Sequence, residues 1–164
     1  MIDIGGASTE ICIRRGGEIV FSVSLPIGAV RILEQCGQDP RKIRAFVEDA
    51  LHPLHGICGP AQMYAIGGTA STLASIRLGL SEYDAKKLNG LSLPRDWLSE
   101  ISGRLLSLPV EERKKIPGMD LRRADVIAGA AVLLSAAVEK LHLPEVYFSD
   151  ADNLEGYLAV RGLI

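Results

Sequence analysis

Asp3-Ile4-Gly5-Gly6-Ala7-Ser8-Thr9-Glu10 decides how this chain is read. Ile2 to Ile4 is apolar and β-branched and reads as a strand end. An acid sits inside it, small residues follow, then two hydroxyls, then a second acid. Lacking a Cβ, Gly5 and Gly6 allow positive φ and close approach of the backbone to a ligand. Successive N–H groups can then converge on an anion, with Ser8 and Thr9 as hydroxyl donors. Asp3 points to another component. A carboxylate beside a phosphate repels it unless a cation intervenes, so an acid here implies Mg²⁺ or a water that needs orienting. Glu10, across the hairpin, could serve the same metal or water.

Outward from this stretch, residues 10–14 alternate in polarity and read as a second strand. Arg15-Gly16-Gly17-Glu18 is a hairpin turn, and Ile19 to Leu25 is the third strand of an antiparallel meander. Beyond Pro26 and Gly28 the pattern turns helical, with Val30, Leu33 and Cys36 sharing a face. Asp39-Pro40 starts a helix running to about His55, with Ala45, Val47, Ala50, Leu51 and Leu54 on its apolar side. Gln62 to Ile66 reads as a buried strand. Gly67-Gly68-Thr69 then repeats the small-residue turn at a strand–helix junction, where unpaired N–H groups and the helix dipole make an anion site. Ser81 to Ser92 reads as loop with some helical turns, Pro94 to Ser107 and Val110 to Lys115 as helices, and Asp120 to about Leu141 as one long helix. Glu145 to Ser149 is a strand, and a last helix is expected from about Asn153 to Val160. The order βββ-α-α-β-α…α-β-α is an α/β layered fold in one domain.

Composition narrows the functions. With 164 residues, 48% hydrophobic and 23% charged, the chain is globular. A net charge of -2 with interspersed charges gives no basic stripe for nucleic acid, so a bound phosphate must be held by local devices. The longest apolar run, Val126 to Val138, is too short for a bilayer, and no secretory signal is visible, so a cytoplasmic location is expected. Cys12, Cys36 and Cys58 are odd in number and widely spaced, and read as reduced thiols. His52, His55 and Cys58 fit polar positions at a helix end far better than metal ligands. Trp97, Leu98, Ile101 and Leu105 form a core stripe, and the apolar helix 126–138 is buried.

The motifs together resemble the exopolyphosphatase and guanosine-pentaphosphate phosphatase family, Ppx/GppA. Asp3 to Glu10 is similar to its D-I-G-G-G-S-T-E phosphate motif, with Ala7 in place of the third glycine. Residues 24–31 (SLPIGAVR) and 65–71 (AIGGTAS) resemble the segments that follow it. Pro117-Gly118 and Arg123-Ala124-Asp125 resemble its R-A-D helix, and Ser149-Asp150 with Glu155-Gly156 its closing segment. That segment reads Asp152-Asn153-Leu154-Glu155-Gly156 where the family has G-L-R-E-G, so Leu154 stands at its arginine and no phosphate contact from that arginine is expected. Ala7 is expected to alter the first loop slightly, because alanine disfavours positive φ.

The resemblance implies an actin-like ATPase (ribonuclease H-like) domain: a mixed sheet with the three-strand meander followed by parallel strands, and helices on both faces. It implies hydrolysis, with Mg²⁺, of the terminal phosphoanhydride of polyphosphate or the 5′-phosphate of pppGpp. Asp3 and Glu10 would hold the metal or water, Glu10 being the one catalytic acid within this chain. Gly5, Gly6, Ala7, Ser8 and Thr9 would bind one phosphate, and Gly67, Gly68 and Thr69 another. Arg31 either reaches an anion or is an exposed helix arginine. Asp125 either faces the cleft or pairs with Arg122 or Arg123. Residues 1–164 match the family's second domain. Its main catalytic glutamate lies in an E-E-A segment before the first motif, so the chain alone is expected to be inactive, with the first domain as its partner and homodimerisation open. A phosphonucleotide-sensing domain and an actin-fold kinase are the alternatives. The kinase is the weaker, because no late Gly-Gly pair marks an adenosine site.

Overall fold

Inward-facing isoleucines set the sheet. Ile2, Ile4, Ile11 and Ile13 alternate with more polar residues, and each is at most 4% exposed in the computed structural model, which describes residues 1–151. Strand β1 (Ile2–Ile4) pairs antiparallel with β2 (Thr9–Arg15), and β2 with β3 (Glu18–Leu25). The β2–β3 turn uses Gly16 and Gly17 at φ 57° and 90°, the paired positive values that a two-residue hairpin demands. The expected meander is therefore present.

On its other edge β1 pairs parallel with β4 (Tyr64–Ile66), and β4 with β6 (Glu145–Phe148). Sheet order is β3-β2-β1-β4-β6-β5. Strand β5 (Ser92–Pro94) lies in a stretch that reads as loop and helix start, and it runs antiparallel to β6 at the sheet's edge. Three residues ending in proline carry too little pattern to show as a strand. Proline is tolerated there because an edge position needs no second ladder.

Helix α7 (Ile127–Lys140) is the centre of the core. Ten of its residues are buried, and it packs against α1 (Ala29–Cys36), α2 (Pro40–Ala50), α3 (Gly67–Leu78) and α5 (Arg95–Ser107). Two shorter helices, α4 (Ala85–Leu88) and α6 (Val110–Arg113), sit between these elements. Asp39 caps α2 by accepting from the Arg41 and Lys42 amides, with Pro40 at the first position, as expected. Trp97 packs against the core that contains Leu98, Ile101 and Leu105.

Several expectations are corrected. On α1 the buried face is Ala29, Ile32 and Cys36, while Val30 is 45% exposed. On α2 it is Ile43 and Val47, with Ala45 exposed, and the helix stops at Ala50 before a 3₁₀ turn, His52–Leu54. The long helix expected from Asp120 begins only at Ile127, after a 3₁₀ turn, Leu121–Arg123. Its missing first turn has a cause. The carbonyls of Ala124 and Asp125 accept from the Arg113 and Gln38 side chains, where a continuous helix would present them to later amides. The helix expected over 153–160 and the closing segment at Asn153–Gly156 lie outside the described residues.

Candidate functional site

Strand alternation puts Ile2, Ile4, Ile11 and Ile13 in the core, so Asp3 and Glu10 stand on the opposite face of the sheet. The register pairs Asp3 directly with Glu10, and Glu10 with Ser24. The Ser24 hydroxyl donates to Glu10 Oε1 at 2.8 Å. Like charges directly opposite destabilise a sheet. Partial burial, then the Glu10 carboxylate, push the Asp3 carboxyl above the ordinary carboxylate range. Neither acid has an ion-pair partner among the described residues.

The first turn is built differently from its glycine pattern. Neither Gly5 nor Gly6 has positive φ, and Ala7 has none either. The close packing belongs to Gly28, where a Cβ would meet the backbone of Gly5 and Gly6 at 2.6 Å, while Cβ atoms on Gly5 and Gly6 themselves would meet nothing closer than 3.3 Å. Ala7 therefore sits in backbone that needs no glycine. The Gly5 amide closes the turn onto the Ser8 carbonyl at 3.0 Å. The carbonyls of Gly5 and Gly6 accept from the Ala29, Val30 and Arg31 amides, which caps α1. With its carbonyls drawn towards α1, the turn keeps the amides of Gly6, Ala7 and Ser8 without a backbone acceptor.

The second turn meets the first at Asp3. Gly67 has φ +78°, and a Cβ there would come within 2.6 Å of Asp3 Oδ1. This glycine is required both by backbone conformation and by contact with the acid. Helix α3 starts here with no side-chain cap and no acid in its first turn, so its first amides have no side-chain acceptor. The Arg123 guanidinium lies directly over the Gly68 Cα, in the space a side chain would fill. Asp120 holds it there, 3.7 Å from Arg123 Nε, and also accepts from the Arg122 backbone and guanidinium. Those Arg122 hydrogen bonds and the two guanidinium charges hold the Asp120 carboxyl below the ordinary range. A cation fixed at the positive end of a helix is unfavourable alone, and an anion between them resolves it. A cavity of about 400 Å³ opens beside this point, lined in part by Ser71, Thr72, Ser75, Tyr83 and Arg123.

Three hydroxyls expected or available at the turns are used elsewhere. Thr9 Oγ1 is fully buried and donates to the Ile27 carbonyl at 2.7 Å. Thr69 Oγ1, also buried, donates to the Ile4 carbonyl at 3.2 Å. Thr72 Oγ1 donates back to the Gly68 carbonyl at 2.8 Å. The two loop threonines brace the turns from within, which leaves the Thr69 amide and Ser8 as the candidate contacts. Arg31 sits beside the first turn and donates to the Pro26 carbonyl at 3.1 Å. Asp125 is exposed and pairs with neither Arg122 nor Arg123, because Asp120 takes both. His52 and His55 are exposed, and no group of three or more potential ligands forms a metal cluster among the described residues.

Arg123 and Gly28 escape the sequence reading as site residues. Arg123 stands within the R-A-D match, yet nothing local distinguishes it from Arg122 or connects it to Gly68. Gly68→Ala tests the contact: the added methyl displaces a flexible guanidinium. Thermal stability should change little, while affinity for tripolyphosphate falls about tenfold, the size of one lost charge-assisted hydrogen bond. Calorimetric titration alongside a thermal melt measures both.

The comparisons bear on this geometry. The model of the Ppx/GppA phosphatase family matches residues 1–160. The chain is 29% identical over 175 residues to Exopolyphosphatase 2 of Mycobacterium tuberculosis (strain CDC 1551 / Oshkosh), covering 95% of this chain and 53% of that protein. It is 30% identical over 182 residues to the guanosine-5'-triphosphate,3'-diphosphate pyrophosphatase of Vibrio campbellii, covering 100% of this chain and 32% of that one. The crystal structure of the Aquifex aeolicus Ppx/GppA family member superimposes with a TM-score of 0.87 at 29% identity, over 99% of this chain and 55% of that chain. The chain thus spans about half the length of these relatives or less. No helix among the described residues is long and apolar enough to cross a membrane.

Proposed function

The chain belongs to the Ppx/GppA phosphatase family, and from that premise we propose that it forms a phosphate-binding wall of a phosphoanhydride hydrolase. The substrates are inorganic polyphosphate, losing its terminal phosphate, or pppGpp, losing its 5′-phosphate. One observation carries the reading: Asp3, directly opposed to Glu10 with no cationic partner, lies against the uncapped helix start that Arg123 covers.

The two acids suit Mg²⁺. Their oxygens are hard donors on one face, and neither has a cationic side-chain partner among the described residues. Two carboxylates fall short of a full protein cage, which matches an ion that completes its shell with water and substrate phosphates. Bound Mg²⁺ would supply charge neutralisation on the transferring phosphoryl group.

The chain's own residues take the binding and orienting roles on this wall. The amides of Gly6, Ala7 and Ser8 bind one phosphate, with Gly5 shaping the turn. The amides of Gly67, Gly68 and Thr69, with the Arg123 guanidinium, bind the next. Glu10, oriented by Ser24, accepts a hydrogen bond from the water in line with the scissile bond.

Titrating the chain with tripolyphosphate and pppGpp, and assaying orthophosphate release from pppGpp and long-chain polyphosphate with Mg²⁺, tests the proposal. Mg²⁺-dependent binding without release is the expected result for the chain alone, and release on adding the first domain of a family member supports the hydrolase reading. Binding with no release even then favours the sensing role, and absence of binding removes the phosphate assignment.

A further inference from the structure

Arg113 is the one charged side chain among the fully buried residues described, at 1% exposure. No carboxylate among the described residues lies within ion-pair distance of it. Its partners are neutral. Nε donates to the Leu105 carbonyl at 2.7 Å, and a terminal nitrogen donates to Gln38 Oε1 at 2.7 Å and to the Ala124 carbonyl at 3.3 Å. Leu105 lies in the last turn of α5, and Ala124 closes the 3₁₀ turn Leu121–Arg123. The guanidinium thus sits at two negative helix ends, which offsets part of its burial cost. Gln38 extends the grip, since its Nε2 donates to the Asp125 carbonyl at 2.9 Å.

Buried charges are poor stabilisers, and replacing one with an apolar group of similar volume is often neutral. The geometry gives this one another use. Arg113 and Gln38 hold two consecutive carbonyls, those of Ala124 and Asp125, immediately after Arg123. Asp120 holds Arg123 from the other side. Resting on the phosphate reading above, we infer that Arg113 and Gln38 are positioning residues that clamp the 120–125 segment so that Arg123 stays over Gly68, and thereby set how tightly the second turn holds an anion. Neither residue touches the anion itself.

The test is a double-mutant cycle with tripolyphosphate as probe. Arg113→Met and the milder Gln38→Leu, at an exposed site, are each made in the parent and in Arg123→Ala. In the parent each variant should weaken binding about fivefold, the equivalent of one ordinary hydrogen bond. In the Arg123→Ala background the same changes should have almost no effect. The ¹⁵Nε signal of Arg123, read without ligand, should broaden in Gln38→Leu. Unchanged affinity in folded variants, equal losses in both backgrounds, or an unaltered Arg123 signal each overturns the clamp. If the parent binds no tripolyphosphate, the phosphate assignment fails first. The Arg123 signal then still decides whether Gln38 positions that side chain.

Discussion

Asp3→Asn is expected to impair sharply the Mg²⁺-dependent role proposed above while leaving the fold as stable as before or more so. Loss of one preorganised electrostatic group costs turnover about 10²–10³-fold, to be read with the first domain present, and Asp3 is the acid that lies against Gly67 and directly opposite Glu10. Its effect on stability has the opposite sign. Burial and Glu10 raise the folded-state pKa of Asp3 above its unfolded value. The folded state then holds the proton more tightly than the unfolded one. The associated stability is complete below the ordinary carboxylate range and is lost as pH rises through the folded pKa. At neutral pH the ionised carboxylate therefore works against the fold. Asparagine removes the opposed like charge, a gain of about 0.5 kcal/mol.

Thermal melts give the check. Without Mg²⁺ the variant should melt at or above the parent at about pH 7, and the difference should vanish towards about pH 3. With Mg²⁺ the order should reverse, because only the parent gains from binding. A variant that melts well below the parent without metal would mean that the fold already neutralises Asp3.

Gly28→Ala is expected to be the most damaging single methyl in the first turn. Gly28 has φ -157°, ordinary extended backbone, so conformational strain is not the reason. A Cβ there would meet the Gly5 oxygen and the Gly6 carbonyl carbon and oxygen at 2.6 Å. These are backbone atoms pinned by the α1 amides, and they cannot yield without breaking those bonds. Overpacking of this kind costs about 3 kcal/mol, or roughly 6–12 °C in melting temperature for a chain of this size. Phosphate binding at the turn should fall with it. Gly6→Ala is the control: its Cβ would meet only the Val30 side chain, at 3.3 Å, and the cost should stay below about 1 kcal/mol. Equal losses in the two variants would contradict the packing role.

Much of the fold is legible in the chain because its signals are local. Alternating isoleucines, the Gly16-Gly17 turn and the Asp39-Pro40 cap each act within a few residues. The meander, α2 and the β4–α3 junction were readable for that reason. Strand β5 was not, since an edge strand of three residues is specified by its partner β6 more than by its own composition. The start of the long helix is not legible for a similar reason. Residues 120–126 have helical propensity, but Arg113 and Gln38 take the carbonyls that a helix would use.

The sequence by itself determined that two small-residue turns occur, that acids flank the first, and that the second opens a helix. These are properties of neighbouring residues, fixed by where Cβ atoms are missing and where chain direction changes. Only the tertiary structure decided what each residue does. It opposed Asp3 to Glu10, set Asp3 against Gly67, laid Arg123 on Gly68 and turned the Thr9 and Thr69 hydroxyls inward. It also showed Gly5 and Gly6 as packing surfaces for Gly28, with no positive φ. Glycine reads the same in sequence whether it serves conformation or contact, and the neighbour that makes the difference lies far along the chain.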